Sequence, residues 1–250
     1  MRLGLIAFLV TVLSACASQP KIVLLGEIHD HELGHQARLA WLQQALDDGW
    51  RPALALEQFD IEHQALLTQA QAQCADDVDC IVQTAKGSAF WPWPYYYPML
   101  QLAKQYQLPL IAANLSRTDA SSLMRDANAI PAHMPWLADY LSTVDDAWSQ
   151  AMAAEVRQAH CNKLPESIVP GMARAQLARD AAMAHVLKQH ASRGVVLLAG
   201  NGHVRRDLGV PRWLERSYAI GFITVDQDAE PFDVVVRLPK HDQGDPCALL

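Results

Sequence analysis

Lys21-Ile22-Val23-Leu24-Leu25-Gly26-Glu27-Ile28-His29-Asp30-His31-Glu32-Leu33-Gly34-His35 is the stretch from which the rest of the chain can be read. Ile22 to Leu25 is an apolar run of the length expected for a strand buried on both faces. Gly26 punctuates it, and Glu27, His29, Asp30, His31 and His35 then fall within nine residues. Carboxylates and imidazoles at the end of a buried strand are costly to desolvate unless something pairs or uses them. The stretch therefore reads as the first wall of a ligand site. The residues after it, 32–46, have Leu39, Leu42, Ala45 and Leu46 on one face of a helix, with Asp30 or His31 near its start.

Further apolar runs at 53–57, 108–114 and 195–199 predict more buried strands. Residues 220–225 and 233–238 read as closing strands, expected as an antiparallel edge. Between them, 61–86 reads as helical with an interruption near Cys74. Residues 100–106, 116–160 (broken at Pro131 and Pro135) and 171–190 also read as helical. Strands alternating with helices argue for an α/β fold with a mainly parallel central sheet flanked by helices. The helices between 61 and 190 outnumber simple crossovers, so a helical cap or subdomain is expected. Hydrophobic residues make up 51% of the chain and charged ones 19%, which suits one globular domain over 16–250. A net charge of −7 gives no reason to expect a nucleic-acid partner.

Residues 1–15 read as a signal peptide: Arg2 is its positive start, and Leu3 to Leu13 an apolar core too short to span a bilayer. Leu13-Ser14-Ala15-Cys16 is similar to a bacterial lipobox, which implies cleavage before Cys16 and acylation of that residue, palmitate included. Ala17 after the cysteine favours the outer membrane by resemblance to sorting rules. The remaining cysteines, Cys74, Cys80, Cys161 and Cys247, are even in number, as expected of disulfides in an exported chain. Three connectivities are open to them. Cys74–Cys80 and Cys161–Cys247 are favoured, the first closing a short loop and the second tying down the tail.

In a parallel sheet, ligands bind beyond the carboxyl ends of the strands. The predicted strand ends carry Glu27 and His29, Glu57, Asn114, and Gly200-Asn201-Gly202-His203. Each alone could be a helix cap or a satisfied polar residue; together they predict one cleft. His29 and His203 suit acid–base work, and Glu27 or Glu57 could orient either or hold a divalent metal ion. His31 and His35, four apart on a helix, could share a metal. Phe90-Trp91-Pro92-Trp93-Pro94-Tyr95-Tyr96-Tyr97-Pro98 is a proline-stiffened aromatic loop. It either staples a cap to the core or forms an apolar wall with a phenol facing a flat ligand. A tyrosinate can ligate ferric haem. Arg117, Arg174, Arg179, Arg205 and Arg206 are available as partners for propionates.

Four segments together resemble the ChaN family of haem-binding uptake lipoproteins, within the Tiki superfamily. They are Gly26 to Asp30 with His35-Gln36; Ala55 to Phe59; Trp93 to Pro98 leading to Asn114; and Gln176 to Ala184 with Gly200 to Arg205 and Gly209-Val210-Pro211. Gln58 and His31 depart from the residues common in that family. The resemblance implies haem binding at the outer membrane, haem and iron uptake components as partners, and assembly as a homodimer. Its W-x-x-Y-x-P pattern points to Tyr96 as the iron ligand, with Tyr95 and Tyr97 competing beside it. Trp93, His35 and Arg179 complete the expected haem-facing set. The wider superfamily implies an alternative, a metal-dependent hydrolase with esterase or peptidase chemistry. That enzyme would use Glu27, His29, Glu57 and His203, with Glu27 and His203 as metal ligands or His29 activating water. A lipoprotein with a vestigial cleft is the third possibility.

Overall fold

The structure is a computed structural model, and it describes residues 21–74, 77–227, 231–240 and 247. The expected signal segment and Cys16 lie outside these residues. Among the described residues six strands form one sheet: β1 (Ile22–Leu25), β2 (Ala53–Asp60), β3 (Leu110–Asn114), β4 (Val195–Leu198), β5 (Tyr218–Thr224) and β6 (Val234–Leu238). Their spatial order is β3-β2-β4-β1-β5-β6, and every pairing is parallel.

The helices are α1 (Glu32–Asp47), α2 (Gln64–Gln73), α3 (Val78–Thr84), α4 (Tyr97–Gln105), α5 (Arg117–Arg125), α6 (Leu137–Ser142), α7 (Asp146–Ala159), α8 (Val169–His190) and α9 (Asn201–Val204). Strand alternation sorts them onto two faces. Val23, Leu25, Leu54 and Leu56 pack with Leu42 and Leu46 of α1 and with Leu67, Ile81 and Leu100 of α2, α3 and α4. Leu24, Ala53, Ala55 and Ala113 point the other way, onto Met183, Ala184 and Leu187 of α8. The helices α5, α6 and α7 pack mainly on α8 rather than on the sheet, with their own apolar clusters. This is the expected helical subdomain. No helix among the described residues is long and apolar enough to cross a membrane.

The open edge of β3 is covered by glutamines of α2. Gln64 donates to the Leu110 carbonyl and accepts from the Ala112 amide, while Gln71 donates to the Leu108 carbonyl and accepts from the Leu110 amide. An exposed ladder is thereby satisfied within the chain. Both expected disulfides are formed, with Cα–Cα distances of 5.5 Å for Cys74–Cys80 and 5.8 Å for Cys161–Cys247.

The closing strands differ from expectation. β6 runs parallel to β5, with Ile220 opposite Val234 and Thr224 opposite Leu238. A connection this short usually joins antiparallel neighbours, since parallel ones usually need a crossover of a dozen residues or more. Among the described residues of this connection there is no helix. Pairing helps to fix the return, with the Asp233 amide donating to the Ala219 carbonyl and Asp233 accepting from the Ala219 amide and from Arg206.

Candidate functional site at the strand ends

Glu27 follows β1 and is almost wholly buried, at 3% exposure. Oε1 accepts from the Tyr96 hydroxyl at 2.5 Å, from His29 Nδ1 at 2.7 Å and from Gln58 Nε2 at 3.3 Å. Oε2 is paired with the guanidinium of Arg38, which is itself buried in α1. Burial on its own would raise the Glu27 pKa, but Arg38 and the His29 hydrogen bond overcome it and hold the carboxyl at about 2. Arg38 reaches its partner from the α1 stripe that also carries His35 and Leu42. Gly26 makes the turn possible: a Cβ there would stand 2.2 Å from Asn201 Oδ1. The Asn201 side chain needs that space, because it donates to the Phe222 carbonyl and accepts from the Phe222 amide.

His35 is neutral at physiological pH. Burial, then the adjacent Arg38 charge, push its pKa down to about 4. Its Nδ1 accepts from Arg38 at 2.6 Å and its Nε2 donates to the His29 carbonyl at 2.9 Å, which sets the tautomer. His31 is the N-cap of α1: Nδ1 accepts from the Gly34 amide, and Nε2 bonds the Pro239 carbonyl at 3.0 Å. The idea that these two histidines share a metal gives way to this arrangement, because protein groups occupy both nitrogens of each ring.

The second cluster joins β2, α8 and α9. Glu57 Oε2 accepts from the Gly200 amide at 2.8 Å, and Oε1 lies 3.4 Å from His203 Nε2. His203 Nδ1 meets Asp180 Oδ1 at 2.5 Å. Burial opposes the charged form of His203, but carboxylates on both sides raise its pKa to about 10. Burial raises Asp180 to about 6 despite the imidazolium beside it. Glu57 is lowered, since the His203 charge outweighs the effect of burial. Among the described residues Asp180 Oδ2 has no hydrogen-bond partner. A cavity of about 390 Å³ opens over this cluster and is also lined by Glu27, His29, Gln176 and Leu208. His29 stands at the junction: Nδ1 is held by Glu27, and its ring is half-exposed against Trp91, with centroids 4.9 Å apart.

The three adjacent phenols have separate fates. A 3₁₀ turn over Trp93–Tyr95 and the start of α4 rotate successive residues to different sides. Tyr96 turns inward, 1% exposed, with its hydroxyl spent on Glu27. Burial, followed by the Glu27 charge, drives its pKa far above that of a free phenol. Tyr97 gives its hydroxyl to Asp79. Tyr95 is half-buried and stacks on His35 with centroids 5.0 Å apart and planes 16° apart. Among the described residues its hydroxyl has no hydrogen-bond partner.

The expected cleft thus forms: Glu27, His29, Glu57 and His203 come together at the strand ends. Other expected residues are engaged within the protein. Tyr96, expected to face a ligand, is inside and bound to a carboxylate. Trp93 is a staple, 8% exposed, with its indole N–H on the Ser88 carbonyl and its ring on Phe59 and Tyr96. Arg179 is spent on Asn114 Oδ1 and the Leu115 carbonyl, each at 2.7 Å, where it ties α8 to the end of β3. Among the described residues, the groups of three or more side chains close enough to share a metal are Asp60–Glu62–His63 and Glu62–Asp119–His133, and Glu27 and His203 belong to neither. Arg38 and Asp180 are site residues the sequence reading missed. Their signal is a lone charge on the apolar stripe of a helix: Arg38 beside Leu42, and Asp180 beside Leu177, Ala181 and Ala184.

Over residues 13–214, the chain matches a family profile described as haem-binding uptake, Tiki superfamily, ChaN. The fold is similar to that of ChaN of Campylobacter jejuni, in a structure described as showing cofacial haem binding. The TM-score is 0.73 at 19% identity, over 86% of each chain. An erythromycin esterase mutant in its open conformation gives 0.48 at 15% identity, over 82% of this chain and 70% of that one. RRSP, a MARTX toxin effector domain from Vibrio vulnificus, gives 0.46 at 13%, over 87% of this chain and 37% of that one. At these identities the likeness is one of fold, and the last two carry no argument about function. No curated protein sequence matches the chain.

The His203 arrangement has a direct spectroscopic consequence. Its folded pKa lies above the unfolded value, so its contribution to stability is full below about pH 6.5 and is lost as pH rises through about 10. Nitrogen NMR should show both ring nitrogens of His203 protonated at neutral pH, with titration only toward about pH 10. Asp180→Asn should bring that midpoint down. A wild-type ring titrating near 6.5 would contradict the double carboxylate contact.

Proposed function

This chain belongs to the ChaN family of haem-binding uptake proteins in the Tiki superfamily, and from that premise we propose that its exported form holds ferric haem on the aromatic rim beside the strand-end cleft. The cavity between Tyr95, His35, Leu39 and Pro98 is about 140 Å³, below the range of sites that enclose a small molecule. The porphyrin therefore lies across the rim rather than inside it. Phe90, 78% exposed, offers an apolar face, and the Arg117 guanidinium 4.7 Å from its ring centroid is placed for a propionate.

Ferric haem would supply an iron able to accept a phenolate oxygen from this rim. One observation carries the assignment of that oxygen: of the three adjacent phenols, Tyr96 and Tyr97 give their hydroxyls to carboxylates, and Tyr95 alone has no hydroxyl partner among the described residues. His35 positions the Tyr95 ring by stacking, and Arg38 and the His29 carbonyl hold His35 in turn. A porphyrin lying on a surface keeps one face open, and a second copy of the chain covers it in our reading. Lipid at Cys16 anchors the protein to the outer membrane, and haem and iron uptake components are its partners.

A second reading, hydrolysis in the cleft, is favoured by the cavity of about 390 Å³ and by the Glu27–His29 pair on its wall. With Nδ1 bonded to Glu27, His29 has Nε2 available to take a proton from water. His203, charged and held on both sides, would act as an electrostatic group and not as the base.

Hemin titration separates the phenols. Wild type should give a Soret shift and a tyrosinate charge-transfer band. Tyr95→Phe should lose that band and bind about tenfold or more weakly, while Tyr96→Phe should keep the band. The reverse pattern would return the ligand to Tyr96. For the second reading, a screen of ester and peptide substrates should reveal turnover that His29→Ala abolishes; no turnover, or turnover indifferent to His29, would dismiss it.

A further inference from the structure

The end of the sheet opposite the haem rim is where the strands begin, and it carries a different set of side chains. Trp41, Trp50, Tyr106 and Tyr218 stand there half-buried, packed on the margin of the core with their outer edges in water. Trp41 and Trp50 meet edge to face, with centroids 6.5 Å apart. A cavity of about 220 Å³ opens between them, Val23 and Tyr218. The Trp50 indole lies against the backbone of Gly194, whose φ of +95° and lack of a Cβ allow the approach. The Arg51 guanidinium sits 4.9 Å from the Tyr106 ring centroid, and Arg193 donates to the Arg51 carbonyl. The aromatic and basic side chains therefore form one surface.

Charge at this end runs against that of the molecule. The chain as a whole carries −7. Lys21, Arg51, Lys104, Lys188, Arg193 and Arg216 stand at or beside the strand starts. Among the described residues the acids there are Asp47, Asp48 and Glu215, while Asp233 is already paired with Arg206. Tryptophan and tyrosine rings with basic side chains around them suit a phospholipid interface, where the rings lie at headgroup level and the cations meet phosphates.

The chain enters at this same end. Cys16 precedes Lys21 by five residues, a span of at most about 18 Å when fully extended, and β1 begins at Ile22. We propose that the strand-start edge is a membrane-seating face, with Trp41, Trp50 and Tyr218 entering the headgroup layer of an anionic phospholipid surface and Lys21, Arg51 and Arg193 on its phosphates. The haem rim, at the opposite end of β1 and β4, then points away from the bilayer. This inference deepens the anchoring part of the proposed function and rests on lipid at Cys16 for its tether.

Tryptophan quenching by lipids brominated in the acyl chain tests the face. The full chain, processed and reconstituted in phosphatidylcholine–phosphatidylglycerol vesicles, should be quenched. Trp41→Phe with Trp50→Phe should remove most of the quenching, and Trp91→Phe should leave it intact. Arg51→Gln with Arg193→Gln, at exposed positions, should lower it by about half and remove its dependence on the anionic lipid. Quenching indifferent to Trp41 and Trp50, or lost in Trp91→Phe, would overturn the proposal. The mass of the mature chain reports the lipid at Cys16 separately. If Cys16 proves unmodified, the same measurement on full chain added to anionic vesicles decides the face alone. Salt-sensitive quenching through Trp41 and Trp50 would uphold it, and none would overturn it.

Discussion

A carboxylate taken out of water has to be met by charge and by hydrogen bonds, and the upper edge of this sheet is arranged to meet Glu27. Arg38 supplies the charge from within α1, while His29, Tyr96 and Gln58 supply donors from three other segments. Losing any one of them would leave a buried polar group short of a partner. The same requirement fixes the neighbours. Arg38 also bonds His35, His35 stacks on Tyr95, and Tyr96 holds the aromatic loop down at the start of α4. The orientation of the rim is thus set by a need that begins in β1.

The second cluster solves the same problem with less cation. Glu57 and Asp180 share one imidazolium, and burial leaves Asp180 with its pKa raised to about 6. The cluster therefore carries a proton balance near neutrality that the Glu27 cluster, held at about 2, does not. His29 lies between the two and feels both carboxylates. Two adjacent clusters with different proton affinities give the rim a rigid floor and the cavity beside it a polar wall. The haem reading uses the first, and the hydrolytic reading needs both.

The sequence alone disclosed the architecture wherever local pattern and burial agree. Ile22–Leu25 and Val195–Leu198 are continuous apolar runs, and both are central parallel strands. The polar ends of those strands predicted the cleft for a topological reason that holds for any parallel sheet. The direction of the closing edge is not legible in the sequence, because apolar runs do not encode strand direction and β5 and β6 pair in parallel across a short connection. The phenol register was illegible for a geometric reason. Three consecutive residues entering a helical turn point in three directions, and composition cannot say which one faces in. Arg38 and Asp180 were hidden differently, since one charge on an apolar stripe is a weak signal until its partner on another element is seen.

The central claim is that Glu27 and Arg38 act as one buried unit, and a double-mutant cycle measures it. Glu27→Gln, Arg38→Met and the combined variant would be compared by denaturant unfolding at neutral pH. Each single change should cost about 3–5 kcal/mol, because it strands a buried charge. The combined variant should cost no more than either, giving a coupling of about 3 kcal/mol or more. Additive losses would mean that the two side chains do not depend on one another, and that something else organises the edge.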